Sequence, residues 1–334
     1  MAKIREFLAK NRMTQDELCK RLGLSRDTLV DGDDKKIGLA IKTAFGKGAP
    51  IVDDSMEALA PWARKFPVRS LQRQGLIPQN IQGAELVSAI FRFMGVASTD
   101  GFNSYYSAVQ NTVNPQTYAA WIRLGELRAT RSDKEFSINK KMIVDNLLSL
   151  RRNTIFKSQE KGYFRTSVKE ILNNSGIEFF EVEPFITAPL PICACFWVGN
   201  QPVIQVPTNT MNDSQFLEAV FHAVGHILLH PKRTMCLIAP QAAQGENKPA
   251  NHKHSLPTAS NIEKCDEAMR FAQDLLLTEA EECELICNGH FMERRCITHF
   301  AGQFHVRPGI LVERLQQQGM ISLRSPLNDF KQAV

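Results

Sequence analysis

The sequence predicts an α+β protein with a mostly helical N-terminal half and a small β-sheet in its C-terminal half. Three observations carry this. Apolar residues recur at three- and four-residue spacing in segment after segment up to residue 176. Between residues 177 and 207 the pattern changes to alternation and β-rich apolar runs. After that, helical spacing returns and continues to the end. A chain of 334 residues is long enough for two or three domains around a substantial core.

The elements follow in order. "MTQDELCKRLGLSRDTLV" (13–30) has a helix-turn-helix pattern. Thr14 with Glu17 forms a capping box at a helix start, and Leu18 and Leu22 share a face. Gly23 ends that helix and Ser25 is an N-cap for the next. The second helix would present Ser25, Arg26 and Thr28 to a DNA groove or a protein partner. The acidic run "DGDDKK" (31–36) cuts it short. Residues 1–47 are therefore expected to be a helix-turn-helix-like domain. Residues 48–80, rich in Pro and turn signals, read as a linker with a short helix. Residues 81–165 read as a helical middle region, with amphipathic stretches at 84–96, 115–129 and 140–154. Residues 166–334 read as a C-terminal domain. It opens with a helix (166–176), continues through three strands in "IEFFEVEPF", "ICACFWV" and "QPVIQVP", then a histidine-bearing helix, a polar loop (240–261) and a helical tail.

Charge and cysteine usage narrow the class. The formal net charge of +5 sits entirely in residues 1–80, which hold 15 Lys/Arg against 10 Asp/Glu. A basic module on a neutral body fits nucleic acid or an acidic partner, though the excess is small. Eight cysteines in a chain of this length fit reduced thiols in a cytosol better than a secreted disulfide framework. With no apolar h-region and no membrane-length apolar run, the expected location is cytoplasmic, with no membrane partner.

The chemistry is concentrated in "FHAVGHILLH" (221–230). His222 and His226 are four residues apart, so on a helix both imidazoles leave one face and can share a tetrahedral ion. Gly225, beside the second His, suits close approach by another backbone. Glu267, near the start of the amphipathic stretch "EKCDEAMRFAQDLLL" (263–277), is the candidate third ligand. Two His and one carboxylate would leave a fourth position for water, the catalytic arrangement of zinc. A Glu directly after the first His would be the general base, but that position is Ala223, and a methyl group cannot take a proton.

The other cysteine and histidine clusters are weaker. Cys283, Cys287, His290, Cys296 and His299 fit no common zinc spacing, and Cys283, Cys287 and His290 also read as one helix face. Cys193 and Cys195 share a strand face and read as core.

"FLEAVFHAVGHILLH" followed by "DEAMRFAQDLLL" resembles the ImmA/IrrE family of zinc metallopeptidases, whose members carry a His-Glu-x-Gly-His core and a downstream Glu-Ala-x-x-Phe-Ala helix. The resemblance extends over "WARKFPVRSLQRQGLIP", "AIFRFMGVAS", "AAWIRLGELRA", "QPVIQVPT" and "VRPGILVERLQQQGMI", roughly residues 13–25 and 60–322. It implies a zincin-like fold for the C-terminal domain, Zn2+ on His222, His226 and Glu267, and His230 close behind them. It also implies cleavage of a specific protein partner, typically a repressor encoded next to the peptidase in a stress, mobile-element or phage-defence system. Ala223 departs from the family at the general base. Retention of the other site residues around that one change leaves two readings open, an engineered Glu→Ala variant and a natural pseudoenzyme. The runner-up function is a DNA- or toxin-binding regulator whose peptidase-like domain serves as a sensor or as a homodimer platform.

Overall fold

A computed structural model of the chain describes residues 2–48, 51–112, 114–129, 139–153, 163–185, 193–208, 212–230, 235–238 and 262–332. Two compact units emerge. One is Met1–Glu135 with 184–189 and 198–201; the other is Phe136–Glu183 with 190–197 and 202–334.

The first unit is helical: α1 (Ala2–Asn11), α2 (Gln15–Leu22), α3 (Arg26–Asp31), α4 (Asp34–Phe45), α5 (Ala60–Ala63), α6 (Val68–Arg73), α7 (Gly83–Met94), α8 (Thr99–Tyr105) and α9 (Pro115–Arg128). The N-caps and the turn form as expected; of the capping box the Thr14 half forms, and the Glu17 carboxylate accepts from Arg21. Thr14 Oγ1 accepts from the Glu17 N–H at 3.1 Å, and Ser25 Oγ accepts from the Thr28 N–H at 3.0 Å. Gly23 turns the chain in the left-handed region at φ 70°, and a Cβ there would lie 2.9 Å from the Gly101 backbone nitrogen. Leu18, Leu22, Leu29 and Ile37 close a small core with Ile4 and Met13.

Residues 48–80 are more structured than the expected linker. A 3-10 turn (Asp54–Leu59), α5 and α6 bury Ala63, Phe66 and Leu71. Trp62 meets Phe66 and Phe102 edge-on, with centroids 5.0 and 5.4 Å apart. Pro and Gly shape these turns, but the aromatic side chains between them hold the segment in the core.

The same unit encloses an ionic network. Arg21 on α2, with no exposed surface, donates to Glu17 Oε1 at 3.0 Å, Glu126 Oε2 at 3.1 Å and the Met94 carbonyl at 3.2 Å. Tyr105, Tyr106 and Arg123 also donate to Glu126. Burial raises the Glu126 pKa, but Arg21 and Arg123 outweigh it and hold the carboxyl down to about 2.

The second unit begins with α10 (Lys140–Asn153) and α11 (Tyr163–Asn174). The strands β1 (Glu178–Val182), β2 (Cys193–Val198), β3 (Gln201–Pro207) and β4 (Cys236–Ile238) form one sheet in the order β1-β3-β2-β4. β1 runs parallel to β3, and β4 runs antiparallel to β2 with Cys195 opposite Cys236. The alternation of 177–207 accounts for the first three strands. β4 is an addition that its three residues were too short to announce. The helices α12 (Asp213–Leu229), α13 (Ile262–Leu276), α14 (Glu279–Cys287), α15 (Arg294–Phe304) and α16 (Pro308–Gln317) complete the unit. One core joins Phe179, Ile204 and Val206 of the sheet to Phe216, Val220 and Val224 of α12 and Ala272 and Leu276 of α13. The polar loop expected at 240–261 lies outside the described residues.

Candidate metal centre

The site is built on α12. Asn212 caps it, its side chain accepting from the Gln215 N–H at 2.9 Å. The helix then runs 17 residues through the core. Phe221, Val224 and Leu228 bury one side of it, which turns His222 and His226 together on another. Their rings stack at 4.9 Å between centroids, with Nε2 atoms 3.2 Å apart. His222 has no exposed surface. Burial, helped by His230 and Lys264, pushes the His226 pKa down to about 3. A neutral imidazole is the form that ligates a metal.

Gly225 brings in the second helix. A Cβ at that position would stand 2.9 Å from the Ala268 carbonyl oxygen and 3.1 Å from Phe271 Cδ1. The missing side chain is what lets α13 pack directly on α12 at the site, the close backbone approach expected from the sequence.

The residue that α13 delivers to the site is Cys265. His222 Nε2 lies 3.4 Å from Cys265 Sγ, and donor atoms of His222, His226 and Cys265 all fall within 4.8 Å of one another. Glu267, the expected third ligand, is not in this group. Two residues along a helix is about 200° of rotation, so Cys265 and Glu267 leave α13 on nearly opposite sides. Glu267 is 60% exposed, and its Oε2 lies 3.9 Å from His230 Nδ1. The correction is one of helical phase. Ala268 and Ala272 are the small residues that α13 buries, and that choice turns Cys265 inward.

His230 stands beside the site as expected. Its Nε2 lies 2.8 Å from the Lys264 carbonyl. A carbonyl only accepts, so Nε2 carries the proton and the ring is tied to the start of α13. A further thiol comes from the sheet, with Cys236 Sγ 3.1 Å from His226 Nε2. Burial, with Cys265 and Cys195 adding to it, raises the Cys236 pKa well above the ordinary thiol range.

The donor spacing fits a transition-metal ion. Zinc bonds of about 2.0–2.1 Å to nitrogen and about 2.3 Å to sulfur give tetrahedral edges of roughly 3.3 Å between nitrogens and roughly 3.6 Å between nitrogen and sulfur. The observed separations of 3.2 and 3.4 Å match these edges. Imidazole with thiolate is a donor set for zinc, whereas calcium and magnesium take oxygen.

Ala223 is fully buried and belongs to the hydrophobic core. No carboxylate is part of the donor group among the described residues.

The remaining candidates fall elsewhere. Cys283 and Cys287 are exposed, His290 pairs with Glu293, and no donor group forms around them among the described residues. Cys193 and Cys195 are core residues, as expected. In the first unit, Ser25, Arg26 and Thr28 are exposed on α3. Ser25 and Thr28 hydroxyls meet at 2.7 Å, and Arg26 pairs with Asp16 at 2.5 Å. No helix among the described residues is long and apolar enough to cross a membrane. No family model, no curated protein and no solved structure matches the chain.

Proposed function

We propose that this protein is a zinc-binding regulator that holds its ion on His222, His226 and Cys265 and does not hydrolyse peptides. The observation that carries the reading is the convergence of these three donors beside an alanine packed into the core. A hydrolytic zinc site needs an open position and a proton acceptor next to it. Here a thiol takes the place expected for a carboxylate ligand, and residue 223 supplies only a methyl group. The ion therefore serves to tie α12 to α13, and its presence or absence is the signal the second unit reports.

The partner in this reading is a protein, engaged through α2 and α3 of the first unit. Residues 26–34 hold one basic and four acidic side chains, which repel a phosphate backbone. The basic member, Arg26, is already paired with Asp16.

The test pairs metal analysis with a protease assay. About one zinc per chain, and no cleavage of an unfolded protein substrate or of the product of the neighbouring gene, is the expected result. The Ala223→Glu variant, its fold judged by zinc content, is expected to be equally inactive. Cleavage by either form would overturn the regulator reading in favour of a peptidase. Absence of zinc from the chain after purification and reconstitution would overturn the metal site itself. A gel shift with salt titration checks the partner class, and binding to DNA with a steep salt slope would replace the protein partner by nucleic acid.

A further inference from the structure

We infer that Cys236 is a fourth ligand, so that the ion sits in a closed site of two imidazoles and two thiolates. This rests on the metal-binding reading above and deepens it.

Two observations lead there. First, Cys236 Sγ is 3.1 Å from His226 Nε2, the nitrogen that also lies 3.2 Å from His222 Nε2. Second, the position is set by the fold. β4 pairs with β2 so that Cys236 lies opposite Cys195, which anchors the start of the strand at the sheet edge beside α12. A cysteine that only filled core space has no need to set its sulfur against an imidazole of the donor group, because an apolar side chain does that work without desolvating a thiol.

The chemistry of such a set differs from that of three ligands. Two His and two Cys saturate tetrahedral zinc, and such sites are structural rather than hydrolytic. Cys236 touches the group at His226 and lies outside the 4.8 Å spacing of its three members, so an ion held by both thiolates draws the Cys236 sulfur inward. The ion then links three elements distant in sequence: α12, α13 and the sheet edge at β4. Loss of the ion frees β4 from the helices, which gives a metal-responsive protein a structural change to report.

X-ray absorption on the full-length zinc-loaded protein tests this directly, because it counts sulfur and nitrogen neighbours without any substitution. Two sulfurs and two nitrogens are expected. One sulfur with three nitrogen or oxygen neighbours would overturn the fourth ligand and leave the three-donor site standing. No bound zinc would overturn both. Cobalt(II) substitution gives a second readout. The Cys236→Ser variant is expected to lose about half of the thiolate-to-cobalt charge-transfer absorbance, as is Cys265→Ser. An unchanged spectrum in Cys236→Ser would again leave Cys265 as the single thiolate.

Discussion

Gly225→Ala separates a packing role for this glycine from an incidental one by the sign of its effect. In a helix with free space, replacing Gly by Ala stabilises by roughly 0.5–1 kcal/mol through backbone entropy alone. At 225 the added methyl would stand 2.9 Å from the Ala268 carbonyl oxygen and 3.1 Å from the Ala268 Cα. Both atoms are backbone, so relief requires α13 itself to move. Overpacking of this kind costs roughly 1–3 kcal/mol, which exceeds the propensity gain over most of its range. The net expectation is destabilisation by about 1–2 kcal/mol, or a fall of roughly 2–8 °C in unfolding temperature for a unit of this size. A shift of α13 also carries Cys265 away from His222, so zinc affinity falls with stability. Gly302→Ala on α15 is the internal control, because a Cβ there meets nothing within 4 Å. It is expected to stabilise by up to about 1 kcal/mol. Thermal unfolding by circular dichroism and zinc titration against a chromophoric chelator measure both quantities. If Gly225→Ala proves as stable as Gly302→Ala, with unchanged zinc affinity, the contact does not position the site.

Three further outcomes are expected. Removing zinc with a chelator should lower the unfolding temperature of the native protein and leave Cys265→Ser nearly unaffected. Ligand linkage at a thousandfold excess over Kd is worth about 4 kcal/mol, which calorimetry with and without chelator would detect. Ala223→Glu should destabilise by several kcal/mol at neutral pH, because it places a carboxylate in the apolar core around residue 223; chemical denaturation would measure it, and a neutral effect would mean that position 223 opens to the site. The Glu126 carboxyl is held at about 2 against an ordinary 4.5, so its contribution of about 3 kcal/mol is present above pH 4.5 and is lost as pH falls toward 2. Glu126→Gln should flatten that acid limb in a pH series of denaturation curves, at the cost of lower stability at pH 7, where Arg21 would be left buried beside a neutral partner.

The sequence by itself determined what depends on neighbours along the chain. The caps at Thr14 and Ser25, the left-handed turn at Gly23 and the pairing of His222 with His226 are all settled within four residues, where helix geometry leaves one arrangement. Gly225 was legible as a site of close approach for the same reason, though not what would approach it. The tertiary structure alone decided the rest of the donor set. Whether α13 offers Cys265 or Glu267 depends on the helix's rotation about its own axis, and burial of Ala268 and Ala272 against α12 sets that rotation. Local spacing carries no information about it. Cys236 depends on strand pairing, since β4 reaches the histidines only by lying against β2, far from it in sequence. The missing Glu at 223 looked like one lost group in an otherwise open catalytic site. The neighbours that α13 and β4 bring to the histidines are the thiols Cys265 and Cys236, where local spacing pointed to a carboxylate.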